Sequence, residues 1–450
     1  MNSLRPYQKE HAVRLLAILR EKRAALDASF TGSGKTYCSA QIAKDLNAET
    51  LVVCPLSVVA TWRRIMESFG VNATVINFES CWRKFGKVIP WGGGSYFKFD
   101  RVWPLTIYDE CHRVAGDTTI NSKMAIATKR AGGMMLMLSA SAASTLLKFR
   151  ALGFALDLHK LSDYQLWLFA RGARYEEIKL RSGRIVKKVV ISKQRDLEAM
   201  GRLHEEIFGH GQRGSRMRLE DIPEFPKTLV EVRLLSDAPA AVARLSEELQ
   251  LFYKHRTTLG AMSKDELAKL VFFRQASETA KIPHIVDMMQ DALETSKVAV
   301  FCCFNQTVDE LLSACRHHGW SCGVIRGEQS SAERQRVIDA FQANQLDVVV
   351  ANIQAGGVGV SLHDPVTQVP RTSIISPSWS AMELKQALGR VHRGSGGYSR
   401  QYIVLFDRGI ETRVAKSVQR KLDNLSLLND SELSDELGSD EPAENSGTLA

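Results

Sequence analysis

The sequence predicts an α/β protein with two lobes, each built on a parallel sheet, and a mainly helical segment between them. Strand-like apolar runs alternate with helical patterns up to residue 145, and the same alternation resumes near Lys297. Between these regions most of the sequence has helical character, with a hairpin expected at 179–191 around Ser182-Gly183. Such alternation is typical of parallel sheets with right-handed crossovers. We therefore expect four segments, with bounds at 1–145, 146–280, 281–424 and 425–450.

A glycine-rich stretch, Ser29 to Thr36, follows the first strand-like run and precedes a helical pattern. The backbone N–H groups of such a turn and the N-terminus of the next helix bind phosphate. Lys35 would then reach the β- and γ-phosphates of a nucleotide, and the Thr36 hydroxyl would hold Mg²⁺. The usual pattern begins with Gly or Ala where this chain has Ser29. The alternative is a tight glycine turn with an exposed lysine.

Two carboxylates follow a later strand. The run 105–108 is apolar or β-favouring and leads directly into Asp109 and Glu110. In an open parallel sheet, ligands bind at the carboxyl ends of the strands. Asp109 could hold Mg²⁺ through water, and Glu110 could orient or deprotonate an attacking water. The alternative is a strand capped by two acids that face solvent.

The second half of the chain has no phosphate-binding loop of its own, so a nucleotide would bind between the halves. The segment 386–393 carries Arg390 and Arg393, which share one face if the segment is helical. Two guanidinium groups aimed at a γ-phosphate would stabilise charge as the phosphoryl group leaves, an effect of roughly 10³ to 10⁵ in rate. The alternative is two surface arginines.

The charge is uneven along the chain. The net charge is +9, but residues 424–450 contain seven acidic residues and no Lys or Arg, so the remainder carries +16. A surplus of this size attracts polyanions, and beside a phosphate-binding loop nucleic acid is the expected one. Basic residues that either follow a phosphate backbone or form a solvated face are Arg63, Arg64, Arg181, Arg184, Lys187, Lys188, Arg213, Arg216 and Arg218.

Several compositional features bear on where the protein acts. The chain has no apolar run of the roughly 20 residues that a bilayer-spanning helix needs, and its first residues lack a signal-peptide core. The eight cysteines are scattered without a Cys-x-x-Cys pair, as expected for buried thiols in a reducing compartment. We therefore expect an intracellular protein without a membrane role. The polar, acidic segment 425–450 cannot bury enough apolar surface to fold and is expected to be a disordered tail.

Taken in order, these motifs resemble those of the superfamily 2 helicases, and within them the SNF2-like DNA translocases. The matching stretches are residues 4–8 (Q motif), 31–36 (motif I), 52–57 with Trp62 (motif Ia), 77–79 (Ib), 109–112 (II, DExH form), 139–141 (III), 300–304 (IV), 355–359 (V) and 386–393 (VI). The SNF2-like features are residues 216–223, 273–277 with Lys281, and 409–412. Two positions depart from the pattern: Asn352-Ile353 replaces Ser-Thr in motif V, and Thr412 replaces a glutamate.

The resemblance implies two RecA-like lobes with ATP and Mg²⁺ between them. It implies that ATP contacts come from Arg5, Gln8, Thr31, Gly32, Ser33, Gly34, Lys35, Thr36, Gly359 and Gln386. The catalytic set would be Lys35, Asp109, Glu110, Arg390 and Arg393, with Thr36 and Asp109 at the metal, while Gln8 would contact the adenine edge.

The activity implied is that of a monomeric motor that hydrolyses ATP and acts on nucleic acid, with duplex DNA held through its backbone phosphates. The alternatives are an ATP-dependent RNA helicase and the ATPase subunit of a larger nucleic-acid-processing complex. A non-enzymatic binder fits least, because all the catalytic residue types are in place.

Overall fold

The computed structural model describes most of the chain. The described residues are 4–116, 118–140, 142–143, 145–179, 185–209, 212–218, 221–222, 225–237, 239–240, 244, 247, 264–356, 360–378, 380–393, 396–407, 411–412, 414–416 and 418–419. Within them, no helix is both long enough and apolar enough to span a membrane. Gly359, the turn residues 180–184 and the predicted tail 425–450 lie outside the described residues.

The first lobe contains the predicted alternation of strands and helices. Its elements are α1 (Pro6–Lys22), β1 (Ala24–Asp27), α2 (Lys35–Asp45), β2 (Thr50–Cys54), α3 (Val59–Ser68), β3 (Ala73–Asn77), α4 (Phe78–Lys84), β4 (Gly86–Trp91), β5 (Gly94–Phe99), β6 (Leu105–Asp109), α5 (Ile120–Arg130) and β7 (Met134–Leu138). Strands β1 and β2 are buried along their whole length, which is why they read as apolar runs rather than as alternating patterns.

The middle segment contributes to both lobes. Its described elements are α6 (Arg150–Ala155), α7 (Tyr164–Phe169), β8 (Ala173–Lys179), β9 (Ile185–Ile191), α8 (Lys193–Phe208), β10 (Gly214–Ser215), β11 (Thr228–Leu235) and α9 (Lys264–Ala280). Helix α8 places Ala199, Met200 and Leu203 in the core of the first lobe. Besides the helices and the hairpin, the segment contains β10 and β11, two strands that were not recognisable from periodicity.

The second lobe repeats the alternation. Its described elements are α10 (Ile282–Leu293), β12 (Lys297–Cys302), α11 (Asn305–His317), β13 (Cys322–Ile325), α12 (Ser331–Gln342), β14 (Val348–Asn352), α13 (Ile353–Gly356), β15 (Arg371–Ile375), α14 (Ala381–Leu388) and β16 (Ser399–Phe406). Local signals explain several of their bounds. Ser330 and Glu333 form a capping box at the start of α12, and Gly319, at φ +70°, follows the end of α11.

Each lobe has a six-stranded sheet. The strand orders are β10-β1-β7-β6-β2-β3 and β11-β16-β15-β12-β14-β13, and every pairing in them is parallel. Two strands of the middle segment are thus edge strands: β10 in the sheet of the first lobe and β11 in the sheet of the second. The prediction of two parallel α/β lobes is confirmed, and the carboxyl ends of β1 and β6 bring the two main motifs of the first lobe to one edge.

Two antiparallel hairpins stand outside the sheets. The hairpin predicted at 179–191 is observed as β8 paired with β9, with its turn outside the described residues. The other hairpin is formed by β4 and β5. Its turn residues Gly92 and Gly93 have φ of +54° and +78°, as a two-residue type I′ turn requires.

Candidate active site

The glycine-rich loop is held in a conformation that glycine alone accommodates. Gly32 and Gly34 have φ of +90° and +96°, and Gly34 is the N-cap of α2. A Cβ on Gly34 would lie 2.2 Å from Nε2 of Gln8, so a side chain there would displace the Gln8 amide as well as strain the backbone. The first N–H groups of α2 have no intrahelical acceptors. The loop ends at these groups, so they face its turn.

Gln8 is a structural partner of this loop. Its Nε2 donates to the carbonyl of Ser33 at 2.9 Å, and its Oε1 accepts from the backbone N–H of Arg5 at 3.0 Å. The side chain is buried, while Arg5 at the N-cap of α1 is exposed. The amide retains one hydrogen and one lone pair. The predicted adenine contact stays a prediction, and the structure adds that Gln8 positions motif I.

Lys35 begins α2, and its ammonium is turned back onto the loop. Nζ donates to the carbonyl oxygens of Ser29 at 2.8 Å and Phe30 at 3.1 Å. Burial lowers the pKa of Lys35, and the nearby carboxylates of Asp27 and Glu110 oppose that shift. A bound phosphate would offer the ammonium stronger acceptors in the same place. Thr36 is half-buried in the first turn of the same helix.

Beneath the loop lies a buried polar network that the sequence did not reveal. The Ser29 hydroxyl donates to Asp27 and lies 3.1 Å from Nε2 of His11, which is also 3.1 Å from Asp27 Oδ1. His11 Nδ1 lies 3.2 Å from the Ser215 hydroxyl, and the Met217 N–H donates to Ser29 Oγ at 2.9 Å. Burial would raise the pKa of Asp27, but the charge and hydrogen bond of His11 outweigh it and lower that pKa. The network connects the loop to α1 and β10. In the sequence, only the unusual residue Ser29 indicated it.

Asp109 ends β6 and is oriented by Trp62 of α3. Trp62 Nε1 donates to Asp109 Oδ2 at 2.7 Å, and the Glu110 N–H donates to Oδ1 at 3.0 Å. Trp62 is only 1% exposed, whereas Arg63 and Arg64 are exposed, so the tryptophan is a core residue rather than a nucleic-acid contact. Burial and the charge of Glu110 raise the pKa of Asp109 to about 6.

Glu110 occupies a left-handed backbone conformation, at φ +53°. This conformation is uncommon for a residue with a side chain and is often found at functional sites. Its Oε2 lies 3.2 Å from Nδ1 of His112, and that nitrogen lies 3.3 Å from the Ser139 hydroxyl of motif III. Burial would raise the pKa of Glu110, but the hydrogen bond and charge of His112 outweigh it and lower that pKa to about 2.

The second lobe brings both predicted arginines to this edge. Arg390 is 3% exposed, donates from Nη1 to the Val360 carbonyl at 3.0 Å, and interacts electrostatically with Glu110 and Asp109. Arg393 donates from Nε to Ser361 Oγ at 3.4 Å. Burial lowers the pKa of both guanidinium groups.

The Arg393 side chain lies directly against the glycine-rich loop. A Cβ on Gly32 would be 2.9 Å from its Cδ and 3.3 Å from its Nη1. That Nη1 is buried and has no hydrogen-bond partner within the described part of the chain. A buried donor without a partner is costly. A phosphate on the loop would supply the missing acceptor.

Further contacts join the two lobes around the loop. Lys385 Nζ donates to the Ala140 carbonyl at 3.0 Å, and a Cβ on Gly389 would lie 2.8 Å from Thr31 Cγ2. The rings of Phe30, Phe225 and His392 pack edge to face, with centroids 4.6 to 6.1 Å apart. Gln386 is buried on α14. Of the predicted site residues, the structure brings Gln8, Lys35, Asp109, Glu110, Arg390 and Arg393 to the edge where the glycine-rich loop lies.

Comparisons with known proteins match both lobes. Residues 280–395 match the family described as helicase conserved C-terminal domain, and residues 1–84 match the family described as type III restriction enzyme, res subunit. The first match spans motif VI and most of the second sheet, and the second spans the glycine-rich loop.

Relatives come from viral and cellular proteins. A protein of Acanthamoeba polyphaga mimivirus, whose name assigns it provisionally to the ATP-dependent RNA helicases, is 28% identical over 95% of this chain and 84% of its own length. The CHD3-type chromatin-remodeling factor PICKLE of Arabidopsis thaliana is 28% identical over 33% of this chain and 11% of its own. A mouse DNA repair and recombination protein, RAD54B, is 27% identical over 19% of this chain and 10% of its own.

The two domain matches occur in the order that the motifs predict, and the relatives include proteins of the SNF2 family. They agree with the two parallel-sheet lobes that meet at the loop. The chain carries helicase domains of superfamily 2 and is an ATP-hydrolysing enzyme, and proteins of the SNF2 family are among its relatives.

Proposed function

We propose that the chain is a motor that moves along duplex DNA through backbone phosphates, with its ATP site completed only when the lobes close. The observation that carries this proposal is the position of Arg393. Its guanidinium belongs to one lobe and lies against Gly32 of the other, so hydrolysis and lobe closure depend on the same contact. Cycles of closure and opening would move the protein along the nucleic acid.

Each residue has a separable task in this proposal. Lys35 would exchange its bonds to the loop carbonyls for phosphate oxygens, and Glu110, ionised at neutral pH, would orient the attacking water. Arg390 and Arg393 would stabilise the charge of the departing phosphoryl group. Gln8 would keep motif I in place, as its bond to Ser33 indicates.

A magnesium ion fits the donors at this edge. Thr36 and Asp109 offer a hydroxyl and a carboxylate, the hard oxygen ligands that Mg²⁺ prefers, and proteins usually bind this ion through one or two such groups plus substrate phosphates. When bound, the ion neutralises negative charge on the phosphate oxygens. The bond from Trp62 to Asp109 would hold the carboxylate in the required orientation.

Replacing Trp62 by Phe tests that orientation. The substitution keeps most of the buried ring but removes the donor to Asp109 Oδ2. Partners that orient metal ligands typically contribute about 10- to 100-fold in metal affinity or activity. We therefore expect ATP turnover to need more Mg²⁺, with saturating ion restoring part of the loss. An unchanged Mg²⁺ dependence would remove Trp62 from this role.

The choice of nucleic acid is tested by ATPase assays with single-stranded DNA, duplex DNA, forked DNA and RNA. We expect duplex DNA to stimulate turnover most, because the relatives include a chromatin-remodeling factor and a DNA repair and recombination protein. Since phosphate contacts dominate, the stimulation should fall steeply with salt. A Glu110→Gln variant should bind ATP without turnover on every substrate, which excludes a contaminating ATPase. Stronger stimulation by RNA than by duplex DNA would overturn the proposal.

Two other functions each have an observation in their favour. An RNA helicase is favoured by the mimivirus relative, which aligns with 95% of this chain and is named for RNA. A motor subunit of a larger complex is favoured by the match of residues 1–84 to a restriction-enzyme subunit. The assay above separates the first from the main proposal, and copurification with partner proteins would identify the second.

A further inference from the structure

The hairpin of β4 and β5 has two faces of opposite character. Its register pairs Lys87 with Lys98, Ile89 with Tyr96 and Trp91 with Gly94. Because side chains alternate along a strand, these residues share one face, and Val88, Phe97 and Phe99 share the other.

One face anchors the hairpin to the first lobe. Phe97 and Phe99 are buried in the core of that lobe and meet edge to face, with centroids 4.9 Å apart. Next to them, Lys123 of α5 donates from Nζ to the Ser95 hydroxyl at 2.7 Å. The hairpin is therefore a rigid projection rather than a free loop, and its opposite face is held in a fixed orientation.

The opposite face exposes aromatic rings. Trp91 is 78% exposed at the end of β4 and Tyr96 is 37% exposed. The residue paired with Trp91 is Gly94, which has no side chain to cover the indole. An exposed tryptophan on an anchored hairpin is unusual for a protein surface, where large aromatic side chains are mostly covered. The arrangement leaves a flat apolar surface open for a ligand.

The same face is positively charged. Lys87 and Lys98 lie side by side across the hairpin, and both are exposed. Residues 86–99 contain no Asp or Glu; Arg83 and Lys84 lie shortly before them, and Asp100 follows them. Like charges placed opposite each other destabilise a strand pair, and an anionic ligand between them would relieve that repulsion. Aromatic rings between basic residues are the features that bind unpaired nucleotides, through stacking and phosphate contacts.

We propose that this face, formed by Lys87, Ile89, Trp91, Tyr96 and Lys98, is a base-stacking site for single-stranded nucleic acid. Trp91 would stack on an unpaired base, and the two lysines would contact the flanking phosphates. The site goes beyond the proposed function, since it needs neither ATP nor lobe closure and reads unpaired bases rather than duplex backbone. It would hold a displaced or terminal strand beside the motor.

The test is equilibrium binding of a labelled single-stranded oligonucleotide and of a blunt duplex of equal length, without ATP. Stacking on an aromatic ring is commonly worth about 5- to 150-fold in affinity per base, so Trp91→Ala should weaken single-strand binding by that order. Trp91→Phe keeps a ring and should retain most of the affinity. Duplex binding should change by less than about twofold, since only the terminal base pairs of a blunt duplex have an exposed face.

The contribution of the two lysines can be measured separately, from the salt dependence of binding. For single strands, each phosphate contact contributes about 0.7 to the slope of log affinity against log salt, so removing both with Lys87→Ala and Lys98→Ala should flatten that slope by about 1.4. A matched control is Leu166→Ala, since Leu166 is an apolar residue of the first half of the chain that is 69% exposed. This control should leave both affinities unchanged.

Because Trp91 and both lysines are exposed, the variants should fold normally, and an unchanged circular dichroism spectrum would verify this. Single-strand binding by Trp91→Ala within about twofold of the unmodified protein would overturn the site. The outcome is independent of the motor proposal. A protein whose ATPase ignores duplex DNA but whose single-strand affinity depends on Trp91 would retain this site and lose the proposed motor function.

Discussion

An Arg393→Ala variant should lose ATP turnover by about 10³-fold or more, while its affinity for ATP falls only modestly. Arg393 reaches across from the second lobe, and its buried Nη1 has no partner within the described residues. Its interaction with the nucleotide should therefore be stronger as charge develops on the departing phosphoryl group than in the ground state, so kcat should fall more than KM rises.

Two further variants sharpen the measurement. Arg393→Lys keeps a positive charge but not the planar fork, so it should recover only part of the rate. Arg336→Ala removes an exposed arginine of the same lobe and should leave turnover unchanged. Steady-state and single-turnover kinetics at saturating ATP are the appropriate assays. If Arg393→Ala stays within about twofold of the unmodified enzyme, Arg393 has no catalytic role.

A Lys281→Met variant should lose about 3–5 kcal/mol of the free energy of unfolding of the second lobe. Lys281 is fully buried, and its Nζ donates to both Glu411 carboxylate oxygens, at 2.8 and 3.0 Å, and to the Val404 carbonyl at 3.1 Å. Glu411 also accepts from the Phe406 N–H at 2.8 Å. Removing the lysine alone leaves a buried carboxylate without its counter-charge.

The chain offers an internal control and a rescue. Lys297 and Asp347, 2.7 Å apart in the same lobe, are partly exposed, so Lys297→Met should cost about 1 kcal/mol or less. The double variant Lys281→Met with Glu411→Leu removes both buried charges and should recover much of the loss. Denaturant unfolding followed by a probe in the second lobe measures all three. A Lys281→Met effect no larger than that of Lys297→Met would contradict the prediction.

Much of the fold could be predicted from the sequence because buried parallel strands have a strong local signal. Runs such as 105–108 and 298–302 are apolar throughout, since both of their faces are covered, and the observed strands lie within a few residues of the predicted ones. The strands β10 and β11 were missed because they are edge strands whose pairing is decided by distant partners. The β4–β5 hairpin was missed because its glycine turn resembles an ordinary loop.

The candidate site, too, could be predicted only in part. Motifs at the carboxyl ends of strands were recognisable because glycine, lysine and paired carboxylates have specific chemical uses at such positions. The roles assigned to them stay predictions. The orientation of Asp109 by Trp62, the network of His11, Asp27 and Ser29, and the bond from Gln8 to Ser33 join residues far apart in the chain, and no spacing rule predicts them.

The sequence by itself therefore determined the two-lobed α/β architecture, the phosphate-binding loop and the residue types available for ATP hydrolysis. These depend on local hydrophobic patterning and on short motifs. Only the tertiary structure decided that Arg393 lies against Gly32, that Trp62 is an inward-facing partner of Asp109, and that Trp91 is exposed. Each of these facts depends on which surfaces meet when the chain folds, and burial and pairing between distant segments are not encoded in any single stretch of sequence.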